Sequence, residues 1–303
     1  MSKIRYSRWR VITAAIVATV SLAACGSGTD TAGTTIAPEA ALTIVSLSPT
    51  ATEMLYAIGA GDQVVAVDSL STYPAEVSSK VTKISAYEPS VEAILAYEPD
   101  VVLISNDMNK ITEQLESISS RKITVWTGAA AASIDDVYKQ IYELGELTGR
   151  SSEASTLVAD MTKRIDAVVP DVAPTVAYGV YYELDNTYYS VTSNTFVGAL
   201  LKQFGMVSIA DGVEEGNDYP QLSAEAIVKA DPAIIFLADT KCCQQSAATV
   251  KARAGWSGIS AVKGDNIIEL DDDVASRWGP RIVDLIEQFG AAHTAMLKKN
   301  SAK

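Results

Sequence analysis

Residues 90–104 read SVEAILAYEPDVVLI, and residues 223–237 read SAEAIVKADPAIIFL. Both stretches hold a Ser, a Glu two residues on, Ala-Ile, a Pro seven residues after the Glu, and a closing apolar run. Each reads as a helix, a turn and a buried strand, with the Ser as helix cap and the Glu in the first turn. The unit recurs after 133 positions, which predicts two similar α/β lobes in place of one large sheet. Two related lobes enclose a cleft, and clefts capture ligands.

The segments around each copy fit that frame. Residues 43–47 (TIVSL) form a buried strand, followed by Ser48-Pro49 and a helix through Ile58 that Gly59 closes. Residues 64–67, 101–104 and 123–126 are further apolar strands separated by helical patterns. Strand–helix alternation of this kind gives mainly parallel sheets covered on both faces. A helix is expected over 134–147 and a longer one over 151–169, with Leu157, Met161, Ile165 and Val168 at helical spacing. Pro170 and Pro174 then break the chain. In the second half, strands are expected at 176–182, 188–191, 233–238 and 267–270, and a helix at 196–204. A last helix follows Gly279-Pro280 to about Lys298. The expected domains are a first lobe over 42–150, a single connecting helix over 151–170 and a second lobe over 171–303.

The N-terminus points to export. Lys3, Arg5, Arg8 and Arg10 precede a 14-residue uncharged apolar stretch over 11–24, which suits a signal peptide and is short for a membrane span. The stretch ends Leu22-Ala23-Ala24-Cys25-Gly26, which resembles the lipobox of bacterial lipoproteins. The resemblance implies cleavage before Cys25 and diacylation of its thiol, so that the chain sits lipid-anchored on the extracytoplasmic face of the cell membrane. Residues 25–41 are rich in Gly, Thr and Ala and read as a flexible tether. Loss of residues 1–24 removes four basic and no acidic residues, leaving 20 Lys and Arg against 37 Asp and Glu, a net charge of −17. Nucleic acid is a poor partner for that surface.

Absences narrow the chemistry. The single histidine, His293, lies in the last helical stretch and reads as a surface or packing residue. A His-based triad or a His-rich metal site has no material here, which argues against a hydrolase. Apart from Cys25 the cysteines are the adjacent Cys242 and Cys243. They are either free or joined in a strained vicinal ring, because neighbouring Cα atoms lie closer than a disulfide prefers.

Four motifs together are family-specific: residues 44–55 (IVSLSPTATEML), Ser71-Thr72-Tyr73-Pro74, Glu92-Ala93-Ile94-Leu95-Ala96 with Pro99-Asp100, and Arg277-Trp278-Gly279-Pro280-Arg281. With them the chain resembles the substrate-binding lipoproteins of ABC importers of the iron-siderophore/cobalamin family, over nearly everything after residue 41. The resemblance implies two α/β lobes joined by one long helix, a shallow cleft, and delivery of the ligand to a permease dimer driven by an ATPase. It also implies that Glu92 and Glu225, one per lobe, meet the permease. A two-lobed protein on a two-fold partner offers one similar charge per lobe.

Ligands of open α/β sheets sit beyond the carboxyl ends of the strands. That rule selects residues 69–74, 86–89, 105–108 and 126–128 of the first lobe, and 182–187, 217–220, 239–244 and 275–278 of the second. Tyr73, Tyr87, Trp126, Tyr182, Tyr219 and Trp278 offer aromatic faces with polar tips, and Asn106 is a polar contact. Lys241 and Arg277 supply positive charge, with a salt bridge to residues 271–273 as the alternative for Arg277, while Arg281 reads as structural. The expected protein is a monomeric binder, not an enzyme. It takes up an Fe(III)-siderophore, with cobalamin as the alternative and haem or an enzyme on this scaffold more distant. It needs no cofactor of its own, and metal arrives only inside a bound chelate.

Overall fold

The computed structural model describes residues 42–118, 122–172 and 174–301; Cys25, the signal peptide and the tether lie outside them. The first sheet contains β1 (Ile44–Leu47), β2 (Val64–Val67), β3 (Val101–Ile104) and β4 (Thr124–Thr127). Its helices are α1 (Pro49–Ala57), α2 (Val91–Leu95), α3 (Ile111–Ile118) and α4 (Ile134–Thr148). Helix α5 (Ser151–Asp166) leads to β5 (Tyr178–Glu183), α6 (Phe196–Gln203), β6 (Met206–Ser208), α7 (Ala224–Ala230), β7 (Ile234–Leu237) and α8 (Ala247–Lys251). The chain finishes with α9 (Ser260–Lys263), β8 (Ile267–Glu269), α10 (Asp272–Ala275) and α11 (Ile282–Ser301).

Both sheets are parallel and share one strand order, β2-β1-β3-β4 and β6-β5-β7-β8. The repeated segment falls on α2–β3 and α7–β7, the third strand position in each sheet, so the internal echo is one of topology. Strands β1, β3 and β7 are buried at every residue. A parallel strand covered on both faces needs the uninterrupted apolar runs that the sequence carries there.

Several helix starts have a visible cause. The hydroxyls of Ser48, Ser90, Thr195 and Ser223 accept backbone N–H groups of the first turn of α1, α2, α6 and α7. Ser133 and Asp136 form a reciprocal capping box on α4. Helix α5 is 16 residues long, or roughly 24 Å, and packs on α4 and α11. One apolar core runs through both lobes by way of α4, α5 and α11. Phe289 of α11 meets Phe236 with ring centroids 4.9 Å apart, and His293 is buried against Phe204, the packing role its neighbours suggested.

One expected strand fails, and one strand forms that was not expected. Residues 188–191 form no strand: Tyr188 takes φ 72°, and only a Tyr189–Gln221 bridge results. Asp185 starts a turn there, its carboxylate accepting from the Thr187 N–H and hydroxyl, and this redirects the chain before pairing begins. Strand β6, in contrast, is real at three residues, too short for a periodic signal. The last helix begins at Ile282 and runs to Ser301, slightly beyond the expected end.

Candidate functional site

The carboxyl ends of the strands of both lobes flank a cavity of about 240 Å3. Tyr182 and Phe196 form its wall in the second lobe, Tyr219 and Trp278 its aromatic rim, and Ala130 and Ala131 the first-lobe side. Tyr182 is fully buried, and its hydroxyl donates to the Ala275 carbonyl at 3.2 Å. Its ring therefore shapes the wall while its polar tip is engaged in the protein, which corrects the expectation of a tip offered to ligand. Tyr219 remains 54% exposed and free to meet an incoming molecule. Trp278 spans the lobes: its indole Nε1 donates to Gln140 Oε1 at 3.2 Å, while Gln140 Nε2 donates to the Ala129 carbonyl at 2.7 Å.

The two expected cationic contacts are tied up. Lys241 Nζ lies 2.7 Å from Asp271 and 3.0 Å from Asp273. Arg277 Nη2 lies 2.7 Å from Asp273 and donates to the Leu70 carbonyl across the cleft at 3.2 Å. Between them stands Asp272, which accepts from the Thr240 hydroxyl and from the backbone N–H groups of Lys241 and Cys242 at 2.8–2.9 Å. Burial opposes ionisation of Asp272, but those hydrogen bonds outweigh it and hold its carboxyl below the usual carboxylate range. Three carboxylates thus stand against two cations on this rim, and it carries no spare positive charge.

Other expected contacts are scattered. Tyr73, joined to Pro74 by a cis peptide bond, lies beneath the Arg281 guanidinium at 3.7 Å from its ring centroid. Both line a separate groove of about 550 Å3 on the flank, between α1, α5 and the start of α11. Trp126 is half-buried against the core, and its indole donates to Glu143 at 3.1 Å. A Cβ on Gly128 would sit 2.6 Å from that ring, so the site is packed tight and Trp126 is a packing residue. Tyr87 is 61% exposed on a turn and lines none of these cavities. Asn106 is exposed in the loop after β3.

Glu92 and Glu225 occupy equivalent places, each exposed in a first helical turn behind its Ser cap. Cys242 and Cys243 are both free thiols, so the strained ring is not formed. Among the described residues no group of three His, Cys, Asp or Glu is placed to hold a metal ion, and no helix is long and apolar enough to cross a membrane.

Three contributors went unrecognised in the sequence. Phe196 follows the Thr195 cap at the start of α6, a signal that marks the helix start but not the cavity the ring faces. Gln140 sits on a buried helix face and gives no linear signal. Glu53, only 3% exposed, accepts from the Arg281 backbone N–H at 3.0 Å and from its Nε and Nη2 at 2.9 and 2.8 Å. Both residues fall in quoted motifs, but nothing in the linear text pairs positions 228 residues apart.

Comparison with known proteins adds three findings. Residues 44–274 match the family described as periplasmic binding protein. The uncharacterized ABC transporter substrate-binding lipoprotein YvrC of Bacillus subtilis is 32% identical, over 81% of this chain and 78% of that one. A cobalamin-binding protein of Halobacterium salinarum is also 32% identical, over 82% of this chain and 68% of the relative. Among solved structures, the periplasmic vitamin B12 binding protein of Vibrio cholerae superposes with a TM-score of 0.71 at 23% identity, covering 85% of this chain and 98% of its own. The periplasmic heme binding protein of the same organism gives 0.71 at 20% identity, covering 82% and 98%. These two likenesses speak to the fold alone.

Proposed function

The chain belongs to the periplasmic binding protein family, and from that premise we propose that it captures cobalamin outside the cytoplasm and hands it to an ABC permease. That it is an extracytoplasmic substrate-binding protein of an ABC importer follows from the family, whose members bind their ligands without transforming them. The choice of ligand is our own. It revises the preference for an Fe(III)-siderophore, which rested on Lys241 and Arg277 as free cations.

The observation that carries the choice is the pairing of those two cations with Asp271 and Asp273. An anionic ferric chelate would have to displace a carboxylate to reach either of them, and would meet the acidic remainder of the rim. A corrinoid carries amide arms and a broad apolar face, and suits a wall of Tyr182, Phe196, Tyr219 and Trp278. The cavity of about 240 Å3 holds one edge of such a ligand, and the rest lies in the open mouth. The cobalamin-binding protein of Halobacterium salinarum supports the same direction at 32% identity.

In this reading Cys25 carries the lipid anchor, Glu92 and Glu225 contact the permease dimer, and the cobalt enters only as part of its ligand. The test is calorimetric titration of the chain starting at Gly26 with cyanocobalamin, a ferric hydroxamate, a ferric catecholate and haem. Saturable one-to-one binding of cyanocobalamin, weakened by Trp278→Ala and unchanged by Lys241→Gln, supports the proposal. Saturation by a ferric chelate alone, lost in Arg277→Ala, would return the protein to siderophore uptake.

A further inference from the structure

Beneath the acidic rim lies a second polar cluster that ligand capture does not use. Glu183, the last residue of β5, and Asp239, just past β7, are both fully buried. Arg253 forks onto Glu183 at 2.6 and 2.5 Å and also donates to Gln245 Oε1 at 2.7 Å. Its guanidinium stacks over Trp256 at 4.6 Å and Tyr188 at 5.4 Å. Asp239 has no such support. Neither of its carboxyl oxygens has a hydrogen-bond donor, and Glu183 lies on the adjacent strand, its carbonyl accepting from the Ala238 N–H at 2.9 Å.

The charges do not balance if both acids are ionised. One arginine offsets one carboxylate, and the second is left buried without a donor, an arrangement that costs several kcal/mol unless the group is neutralised. Among the described residues, no other group facing the pair supplies positive charge. Around Asp239 and Glu183 stand the Tyr181 hydroxyl from β5, Asp272 of α10 and the thiol of Cys242. Each is neutral or, when ionised, negative. A proton bridging the two carboxyls satisfies both and needs no added space.

The same pair roots a rim segment. The Asp239 carbonyl accepts from the backbone N–H groups of Cys243 and Gln245, and the Gln245 side chain is held by Arg253. Asp272 clamps the other side through Thr240, Lys241 and Cys242. We infer that Glu183 and Asp239 hold one proton between them, and that this proton positions residues 240–245, the cleft-rim loop bearing the adjacent thiols. Burial, first, and the Glu183 carboxylate, second, push the Asp239 carboxyl up to about 7, which agrees with the geometry. The proton exchanges with solvent as pH changes, so the loop loosens above neutrality. This inference holds whichever ligand occupies the cleft.

The experiment uses the ligand-free chain from Gly26, so its failure is separate from that of the cobalamin proposal. Infrared difference spectra are recorded between about pH 6 and about pH 9. A protonated buried carboxyl band that disappears at the higher pH, and is missing in Asp239→Asn, is the expected result. Reaction of Cys242 and Cys243 with a neutral disulfide reagent is followed alongside. The wild type is expected to match Asp239→Asn at the lower pH and to react several-fold faster at the higher. The direct electrostatic effect runs the other way, because an ionised Asp239 disfavours thiolates. Absence of the band in the wild type overturns the shared proton, even if the variant fails to fold. A wild type no faster than the variant at the higher pH overturns its hold on the loop.

Discussion

Glu53→Ala is expected to destabilise the protein by about 3–5 kcal/mol, because it strands a half-sequestered arginine between the lobes. Glu53 on α1 receives three hydrogen bonds from Arg281, at 3.0, 2.9 and 2.8 Å. The two side chains are 3% and 18% exposed, so water replaces little of what is lost. The contact is also crowded: a Cβ at Gly279 would lie 2.9 Å from Glu53 Oε1, which leaves no room for the loop to slide towards a new partner. Tyr73 beneath the guanidinium contributes a further ~0.5–2 kcal/mol of cation–π attraction. For a folded unit of this size the loss corresponds to a fall in Tm of roughly 6–15 °C. Scanning calorimetry of wild type, Glu53→Ala, Arg281→Ala and the double variant measures it, and the two single losses should not add. A fall of less than about 3 °C in Glu53→Ala, or additive single losses, would refute the assignment of Glu53–Arg281 as the inter-lobe tie.

Further outcomes follow from other contacts. Tyr182→Phe leaves the Ala275 carbonyl without its donor and should cost about 1–2 kcal/mol in urea unfolding, with ligand affinity preserved because the ring still forms the wall. Gly198→Ala places a Cβ 2.2 Å from the Thr192 carbonyl; it should destabilise by at least ~2 kcal/mol and weaken ligand binding by displacing the loop before Phe196. Charge reversal at Glu92 and Glu225 together should abolish uptake by whole cells while titration of the purified chain still gives the wild-type Kd. Asp239 sets a pH trend: its folded carboxyl keeps a proton that the unfolded chain has released. Stability is therefore fully present below the ordinary aspartate range and declines as pH rises through about 7, by an amount on the order of a few kcal/mol. Asp239→Asn should flatten that decline in the urea midpoint.

The aromatic expectations fared unevenly for a physical reason. Tyr219 and Trp278 reach the cavity because the loops carrying them lie beyond strand ends. Trp126 sits in an equivalent place on β4 but turns its indole to Glu143, and Tyr73 turns to Arg281. Residue type and position along a strand indicate where a side chain starts. They do not indicate which neighbour it meets.

Reading the chain linearly was enough to establish two lobes, parallel sheets, most strands and the helix caps. Those features are governed by interactions within a few residues: an apolar run, a Ser three positions before the N–H it caps, a proline that cannot continue a helix. The acidic character of the chain is likewise a matter of composition. The charge state of the cleft required three dimensions. Lys241 read as a free cation, and Arg277 as either a ligand contact or a partner of residues 271–273; the folded chain pairs both with acids there. Glu53 with Arg281 and Glu183 with Arg253 join positions 228 and 70 residues apart, through side chains whose partners are chosen by packing. Electrostatics depends on distance and burial, and neither is written in the order of the residues.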